Sequence, residues 1–590
     1  MADYFYTDER NAQIVISLLK AHGIKKVVAS PGTTNICLVA SLQQDPFFEI
    51  YSAADERSAG YIACGLSAES GEPVVLSCTG ATASRNYMSA LTEAYYRKLP
   101  ILVITSSRSN FQIGHNIDQV TDRTVLPNDV AKLSVQLPLI YNNDEAEWGC
   151  VVAANKAILE LSHHGNGPVH INLETNYSWN YNVKELPETR AIYRFLNEND
   201  LPKVNAERVA IMVGAHLKWN DRLIAAVDRF CEDYNAVVLC DHTSNYKGKY
   251  RILANLSAQQ RNFNSVIKNA EIIIHIGDIS ASKYNIAAKE VWRVNTDGEL
   301  RDPYKKLHYV FEMEEVDFFE KYTAISNQKK KTEFYDQCVD ELTDLNASLL
   351  AVLDCLPFSN IWIASQTADK LPENSILHLG IQNSLRSWNF FEIPQSVFGY
   401  CNTGGFGIDG CISSVIGASL VDKNRICYCV LGDLAFFYDM NSLGNHHVSN
   451  NLRILLVNNG KGTEFKLTTN PGSMFGNRAD DFIAAGGHYG NKSRSLVRHY
   501  AEDLGFEYLT ASNKEEYIEN IGRFITPQLT DKPMIFEVFT NDADEVSALE
   551  TVRTIKLSNE TVSTKQKAKG AVKDLIGEKG VKAFKKILGK

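Results

Sequence analysis

The sequence predicts an α/β protein: three doubly wound parallel-sheet domains followed by a basic, amphipathic C-terminal tail. Three observations lead there. Continuous apolar runs such as Val74–Cys78 lack the polar alternation of a half-exposed strand and end at Gly, Ser or Asp before a helical pattern, as buried parallel strands do. That alternation of strand and helix recurs in three stretches, expected at residues 1–190, 200–345 and 355–545. From 546 onward the composition changes, and nine lysines crowd residues 565–590.

In the first stretch, strands are expected at 26–30, 73–78 and 101–105, each leading into a helix. Two of their ends carry the loops Ser30-Pro31-Gly32-Thr33-Thr34 and Cys78-Thr79-Gly80, and a third loop presents Asp55-Glu56 after the strand-like 48–51. The helix opened by Glu56 carries Ala59, Ala63 and Gly65, small residues that allow close packing. The second stretch repeats the pattern at 208–214, 236–241 and 271–278 and reads as Rossmann-like without the glycine fingerprint. Polar residues 327–331 mark a connection. The third has strands at 374–380, 427–432, 452–458 and 533–538. Three similar modules suggest an old duplication, although no sequence repeat displays it.

Composition narrows the function classes. At 590 residues and 44% hydrophobic the chain can bury several cores, and a net charge of −10 argues against a general nucleic-acid surface. No stretch approaches the roughly 18 apolar residues of a membrane span, and the N-terminus has no signal-like apolar run. The twelve cysteines form no Cys-x-x-Cys pair, so neither zinc nor a disulfide scaffold is indicated and a cytoplasmic setting fits. In the tail, Val572, Leu575, Ile576, Phe584, Ile587 and Leu588 fall roughly on one helical face, an arrangement that suits an anionic membrane surface or a protein partner. Three glycines weaken that helix, and a solvated tail is the equal alternative.

The chemistry centres on Leu431-Gly432-Asp433-Leu434-Ala435 and Asn458-Asn459-Gly460-Lys461. The two segments are separated by about one helix and one strand, so both loops open on the same edge of a parallel sheet. A carboxylate and an amide oxygen are hard ligands suited to Mg²⁺, and a helix start beside them suits a diphosphate. Gly405-Phe406-Gly407-Ile408-Asp409-Gly410 belongs to a G-x-G-x-x-G spacing that could bind a dinucleotide. Equally, its glycines let a loop approach a cofactor, with Ile408 as the bulky apolar tip.

These motifs, with Asp55-Glu56-Arg57-Ser58-Ala59, Glu93-Ala94-Tyr95-Tyr96 and Gly167-Pro168-Val169-His170-Ile171-Asn172-Leu173, resemble the thiamine diphosphate (ThDP) enzymes of the acetolactate synthase and pyruvate oxidase type. Within them the likeness is closest to the 2-succinyl-5-enolpyruvyl-6-hydroxy-3-cyclohexene-1-carboxylate (SEPHCHC) synthases of menaquinone biosynthesis, over about 1–545. The resemblance implies a pyrimidine-binding, a middle and a diphosphate-binding domain, ThDP and Mg²⁺ as cofactors, and a homodimer or homotetramer. Glu56 would bond to the aminopyrimidine. Pro31, Gly32, Thr79, Asn383, Ser384, Gly407, Ile408, Gly432, Asp433, Leu434, Ala435 and Asn459 would hold the cofactor. Asp433, Asn459 and the Lys461 carbonyl would bind the metal. Gln119 would lie near the reacting carbons.

The implied reaction is decarboxylation of a 2-oxo acid with transfer of the acyl carbanion to an aldehyde or keto acceptor. Simple decarboxylation, a non-catalytic cofactor-binding paralogue and an NAD-dependent enzyme are the alternatives. Departures bear on the substrate: Thr34, Trp388 and Thr403 stand where the SEPHCHC synthases carry substrate-gripping arginines, although Arg386 lies nearby. Their substrates are therefore not expected here. Lys283 is a candidate middle-domain cation. Glu464, just past the metal loop, is either a proton carrier or an exposed carboxylate. His115 is the better active-site histidine, with His446-His447 on the helix after Asp433 expected to be structural or exposed.

Overall fold

The computed structural model describes residues 5–197, 200–280, 284–326, 331–488 and 492–556; Lys283 and the basic tail lie outside them. The chain forms two compact units, Met1–Asn199 with Val291–Met313 and Asp200–Glu290 with Glu314–Lys590. Its strands make three sheets, all parallel in the pairings described. The three-sheet α/β architecture expected from the apolar runs is present.

In the first unit, β1 (Lys26–Ala29), β2 (Glu49–Ser52), β3 (Val74–Thr79), β4 (Ile101–Ser107), β5 (Ser134–Leu137) and β6 (Val169–Glu174) form a sheet of order 2-1-3-4-6-5. The central strands β3, β4 and β6 are buried almost end to end, which is why they read as unbroken apolar runs. Edge strand β2 is largely exposed. The helix Glu56–Ser70 packs through Ala59 and Ala63, both fully buried. Its tightest contact is at Gly60, where a Cβ would come within 2.6 Å of the Ala90 Cβ; Gly65 has nothing within 4 Å, so the close packing belongs to Gly60.

The middle strands divide between the units: β7 (Tyr193–Leu196), β12 (Glu290–Asn295) and β13 (Leu307–Glu312) pair within the first, and β8 (Val209–Val213), β9 (Ala236–Cys240), β10 (Arg251–Leu253) and β11 (Ile272–Ile276) pair within the second. The third sheet comprises β14 (Ile376–Leu379), β15 (Phe398–Tyr400), β16 (Cys427–Gly432), β17 (Leu452–Asn458), β18 (Glu507–Ala511) and β19 (Met534–Phe539). Its order, β15-β14-β16-β17-β19-β18, is again 2-1-3-4-6-5. The two six-stranded sheets thus share a strand order that the middle strands do not follow.

In both six-stranded sheets the winding reverses between the first and third strands, the place where a doubly wound sheet opens a crevice at its carboxyl edge. All twelve cysteines are unpaired and ten of them are buried. Among the described residues no helix is long and apolar enough to cross a membrane.

Strand β17, which delivers the Asn458-Asn459 loop, is tied down at its other end by Arg453. This arginine is fully buried; Nη1 donates to the Tyr428 hydroxyl (2.9 Å) and the Phe524 and Thr526 carbonyls (2.7 and 2.6 Å), and Nη2 donates to the Gln528 carbonyl (2.7 Å). Arg453→Leu strands these acceptors, and a loss of about 3 kcal/mol is expected in urea unfolding. A change within 0.5 kcal/mol, the usual range of an inert surface substitution, would contradict this role.

Candidate active site

The crevice between β14 and β16 holds a cavity of about 340 Å³ in the second unit. Loops from three strand ends line it: Gly380–Ser384 after β14, Gly432–Ala435 after β16 and Asn459–Phe465 after β17, with Phe406 and Ile408 forming a further wall. Adjacent parallel strands end on the same side, so the Asp433 and Asn459 loops open together as their spacing predicts. Ile408 is not alone at the glycine-rich tip, because Phe406, at φ +55°, also faces this cavity.

Asp433 begins a short helix behind Gly432 and is buried. Burial pushes its carboxyl up to about 7, opposed by backbone N–H groups of Leu434, Asp433 and Gly460. At the end of β17 the two asparagines diverge, as successive strand residues do. Asn458 is buried and donates from Nδ2 to Glu537 Oε1 at 2.7 Å, while Asn459 lines the cavity. Glu537 also accepts from the Tyr508 hydroxyl at 2.7 Å. Gly460, at φ +80°, turns the chain to bring in Lys461, whose ammonium is neutralised by Asp480 (2.9 Å) and Asp542 (3.3 Å).

The β14 loop is fixed by a residue that motif reading missed. Glu545 is buried on the helix Asp542–Arg553 and accepts from the Asn360 N–H (3.0 Å), the Thr540 hydroxyl (2.9 Å) and the Asn383 amide (3.2 Å). Burial raises its pKa against the pull of those donors. Asn360 also donates to the buried Ser384 hydroxyl at 3.4 Å.

In the first unit, Asp55 caps the Glu56–Ser70 helix by accepting from the Arg57 and Ser58 N–H groups (2.9 and 3.3 Å). Capping is thus assigned to Asp55, and Glu56 is left to accept from the Asn86 amide at 3.1 Å. Gly32, after Pro31, is required by close approach: a Cβ there would lie 2.7 Å from that of Thr79. Thr34 is buried, its hydroxyl against that of Thr79 and donating to the Ser106 carbonyl at 2.5 Å. His115 and Gln119 are exposed on the loop after β4, Gln119 at φ +58°.

Residues 10–126 match the family model of the thiamine pyrophosphate enzyme, N-terminal TPP binding domain. The chain is 32% identical over 570 residues to the SEPHCHC synthase of Phocaeicola vulgatus, covering 92% of this chain and 98% of that one. It is 32% identical over 558 residues to the synthase of Bacteroides fragilis (91% and 97% covered) and 29% over 557 to that of Flavobacterium johnsoniae (90% and 96%). The chain belongs to the ThDP-dependent enzyme family that includes the SEPHCHC synthases.

As a member of that family, the protein has a donor set that fits a divalent cation beside a diphosphate: a buried carboxylate with no cationic partner among its described contacts, an amide oxygen, and a loop of backbone groups. The three positions expected to differ from the SEPHCHC synthases all point inward. Trp388 is fully buried in the core, and Thr403 and Thr34 are also buried. Glu464 is neither free nor simply exposed: both its oxygens are held by Arg386. His446 and His447 are exposed in a turn beyond the helix rather than on it. In the first unit, His163, His164 and Glu312 bring ligand-type atoms within 4.8 Å of one another, but Lys132 beside Glu160 (3.6 Å) and Arg194 beside Glu312 (3.8 Å) make this an ion-pair network.

Glu545→Ala leaves three donors without their acceptor. The expected cost is about 2–4 kcal/mol in chemical unfolding, together with a smaller ThDP-induced rise in melting temperature. Full retention of both would show that Glu545 does not position the β14 loop.

Proposed function

We propose that the protein is a Mg²⁺- and ThDP-dependent enzyme that decarboxylates a 2-oxo acid and transfers the acyl unit to an aldehyde or keto acceptor. The observation that carries this reading is the convergence of Asp433, Asn459, Lys461, Asn383, Ser384 and Ile408 on one cavity at the switch point of a parallel sheet. Asp433, the Asn459 side chain and the Lys461 carbonyl would hold the metal, and Gly432, Leu434 and Ala435 would hold the diphosphate. Ile408 and Gly407 would support the cofactor from the glycine-rich loop, with Pro31, Gly32 and Thr79 serving its pyrimidine end. ThDP, when bound, supplies the electron sink that lets a 2-oxo acid lose CO₂.

Glu56 would hold a proton at the aminopyrimidine ring. Its freedom from capping, which Asp55 performs, supports that role. His115 and Gln119 are proposed to face the reacting carbons, and their exposed loop leaves both side chains accessible to a substrate. Tyr51 on β2 and Tyr61 and Ile62 on the Glu56 helix are exposed large apolar side chains, which supports assembly as a homodimer or homotetramer. The buried, uncharged Thr34, Trp388 and Thr403 support a substrate different from that of the SEPHCHC synthases.

Mass spectrometry after incubation with ThDP, Mg²⁺ and a panel of 2-oxo acids, with and without aldehyde acceptors, tests the reading. Loss of CO₂ and a ligated product are expected; product without ligation would make the enzyme a simple decarboxylase. Glu56→Gln is expected to lower kcat by about 10²–10⁴-fold while ThDP still binds, and unchanged turnover would sink its assignment. Asp433→Asn is expected to weaken Mg²⁺-dependent ThDP binding at least about tenfold, read by calorimetric titration.

A further inference from the structure

Arg386 and Glu464 form a charge pair at the edge of the cavity that the cofactor chemistry leaves unused. Arg386 is on the helix Asn383–Trp388 after β14, and Glu464 is on the turn Thr463–Lys466 just past the Asn459 loop. Arg386 Nη1 donates to Glu464 Oε2 at 2.9 Å and Nη2 donates to Oε1 at 3.0 Å, the two-pronged geometry by which a guanidinium recognises any carboxylate. Only 15% and 24% of the two side chains are exposed. Glu464 lines the 340 Å³ cavity, and Arg386 lines a neighbouring one of about 50 Å³; Ile381, Gln382 and Phe406 border both.

A second guanidinium feels this pair. Arg553 is buried, donates from Nε and Nη2 to Gln259 Oε1 (3.0 and 2.8 Å), and keeps a buried Nη1 without a hydrogen-bond partner. Burial lowers its pKa and the Arg386 charge pushes the same way, opposed by Glu550 and, more weakly, by Glu464. Glu464 occupies the fork of Arg386 that would otherwise be open to a ligand.

We propose that the Arg386–Glu464 pair is the specificity determinant of this site, restricting it to 2-oxo acids without a second carboxylate. This rests on the decarboxylase reading above. Glu464 acts in two ways: it fills the guanidinium fork that a distal carboxylate would need, and it sets a negative charge in that carboxylate's path. An apolar or hydroxylated chain meets neither obstacle.

Matched substrates test this, because 2-oxopentanoate and 2-oxoglutarate differ in having a methyl or a carboxylate at the far end. The wild-type enzyme is expected to favour 2-oxopentanoate in kcat/KM. Glu464→Gln keeps the shape but frees Arg386, and is expected to shift the ratio toward 2-oxoglutarate at least about tenfold, mainly through KM. The double variant Glu464→Gln/Arg386→Gln should lose that gain. Glutarate, which cannot be decarboxylated by this chemistry, gives a readout without turnover: calorimetry should show at least about tenfold tighter binding to Glu464→Gln than to wild type. If wild type turns over neither acid, the decarboxylase reading fails, and the glutarate titration still decides the role of the pair. Equal glutarate affinity in wild type and a folded, ThDP-binding Glu464→Gln enzyme overturns the proposal, as does an unchanged substrate ratio.

Discussion

A carboxylate buried without a cation is the constraint around which the second unit is arranged. Removing an ionised group from water is costly unless it is paired, and Asp433 meets that cost only with backbone N–H groups, which leaves its pKa near neutrality. A divalent ion beside it would reverse the balance. Such an arrangement destabilises the empty protein and gains stability from whatever binds. It is affordable here because the neighbouring acids are managed separately: Glu537 is satisfied by Asn458 and Tyr508, and Glu545 by three donors. The loops can then hold one unmet charge at the cavity.

Topology explains why that charge falls where a ligand can use it. In the order 2-1-3-4-6-5, strands one and three are neighbours whose connections leave in opposite directions, so their carboxyl ends flank an opening instead of a covering helix. Both six-stranded sheets share the order, yet each has specialised its loops. One carries Asp55 and Glu56 after its second strand; the other carries Asp433 after its third and Asn459 after its fourth. Similar backbones with different loop chemistry are expected where the fold is set by buried apolar strands and the function by residues at their ends.

How much of this was legible in the sequence depended on how far apart the cooperating residues are. The Asp433 and Asn459 loops could be brought together on paper because consecutive parallel strands deliver their ends to one edge. Glu545 could not: it meets Asn383 across some 160 residues, on a helix with no motif, and an acid near a helix start reads as an ordinary dipole partner. The Arg386–Glu464 pair was hidden for the same reason: the sequence singled out Glu464 past the metal loop and Arg386 near Trp388, but their 78-residue separation gave no sign that they meet. Local packing failed differently, since Gly60 and Gly65 are equivalent as letters and only the position of Ala90 separates them. The direction taken by Trp388 was also out of reach, because six helical residues can turn an indole to either face.

Cofactor retention and substrate choice draw on physically different parts of this site. At the diphosphate end the loops follow directly from strands of the core, Asp433 is buried, and the neighbouring loop is braced by the buried Glu545, so changing them strands polar groups and costs stability as well as binding. Arg386 and Glu464 belong to a short helix and a single turn and bond chiefly to each other, so replacing both together strands few other polar groups. Substitution is therefore cheap at the specificity wall and expensive at the cofactor wall. A chain 32% identical to a SEPHCHC synthase over nine-tenths of its length has room for such changes at the specificity wall while its fold is kept.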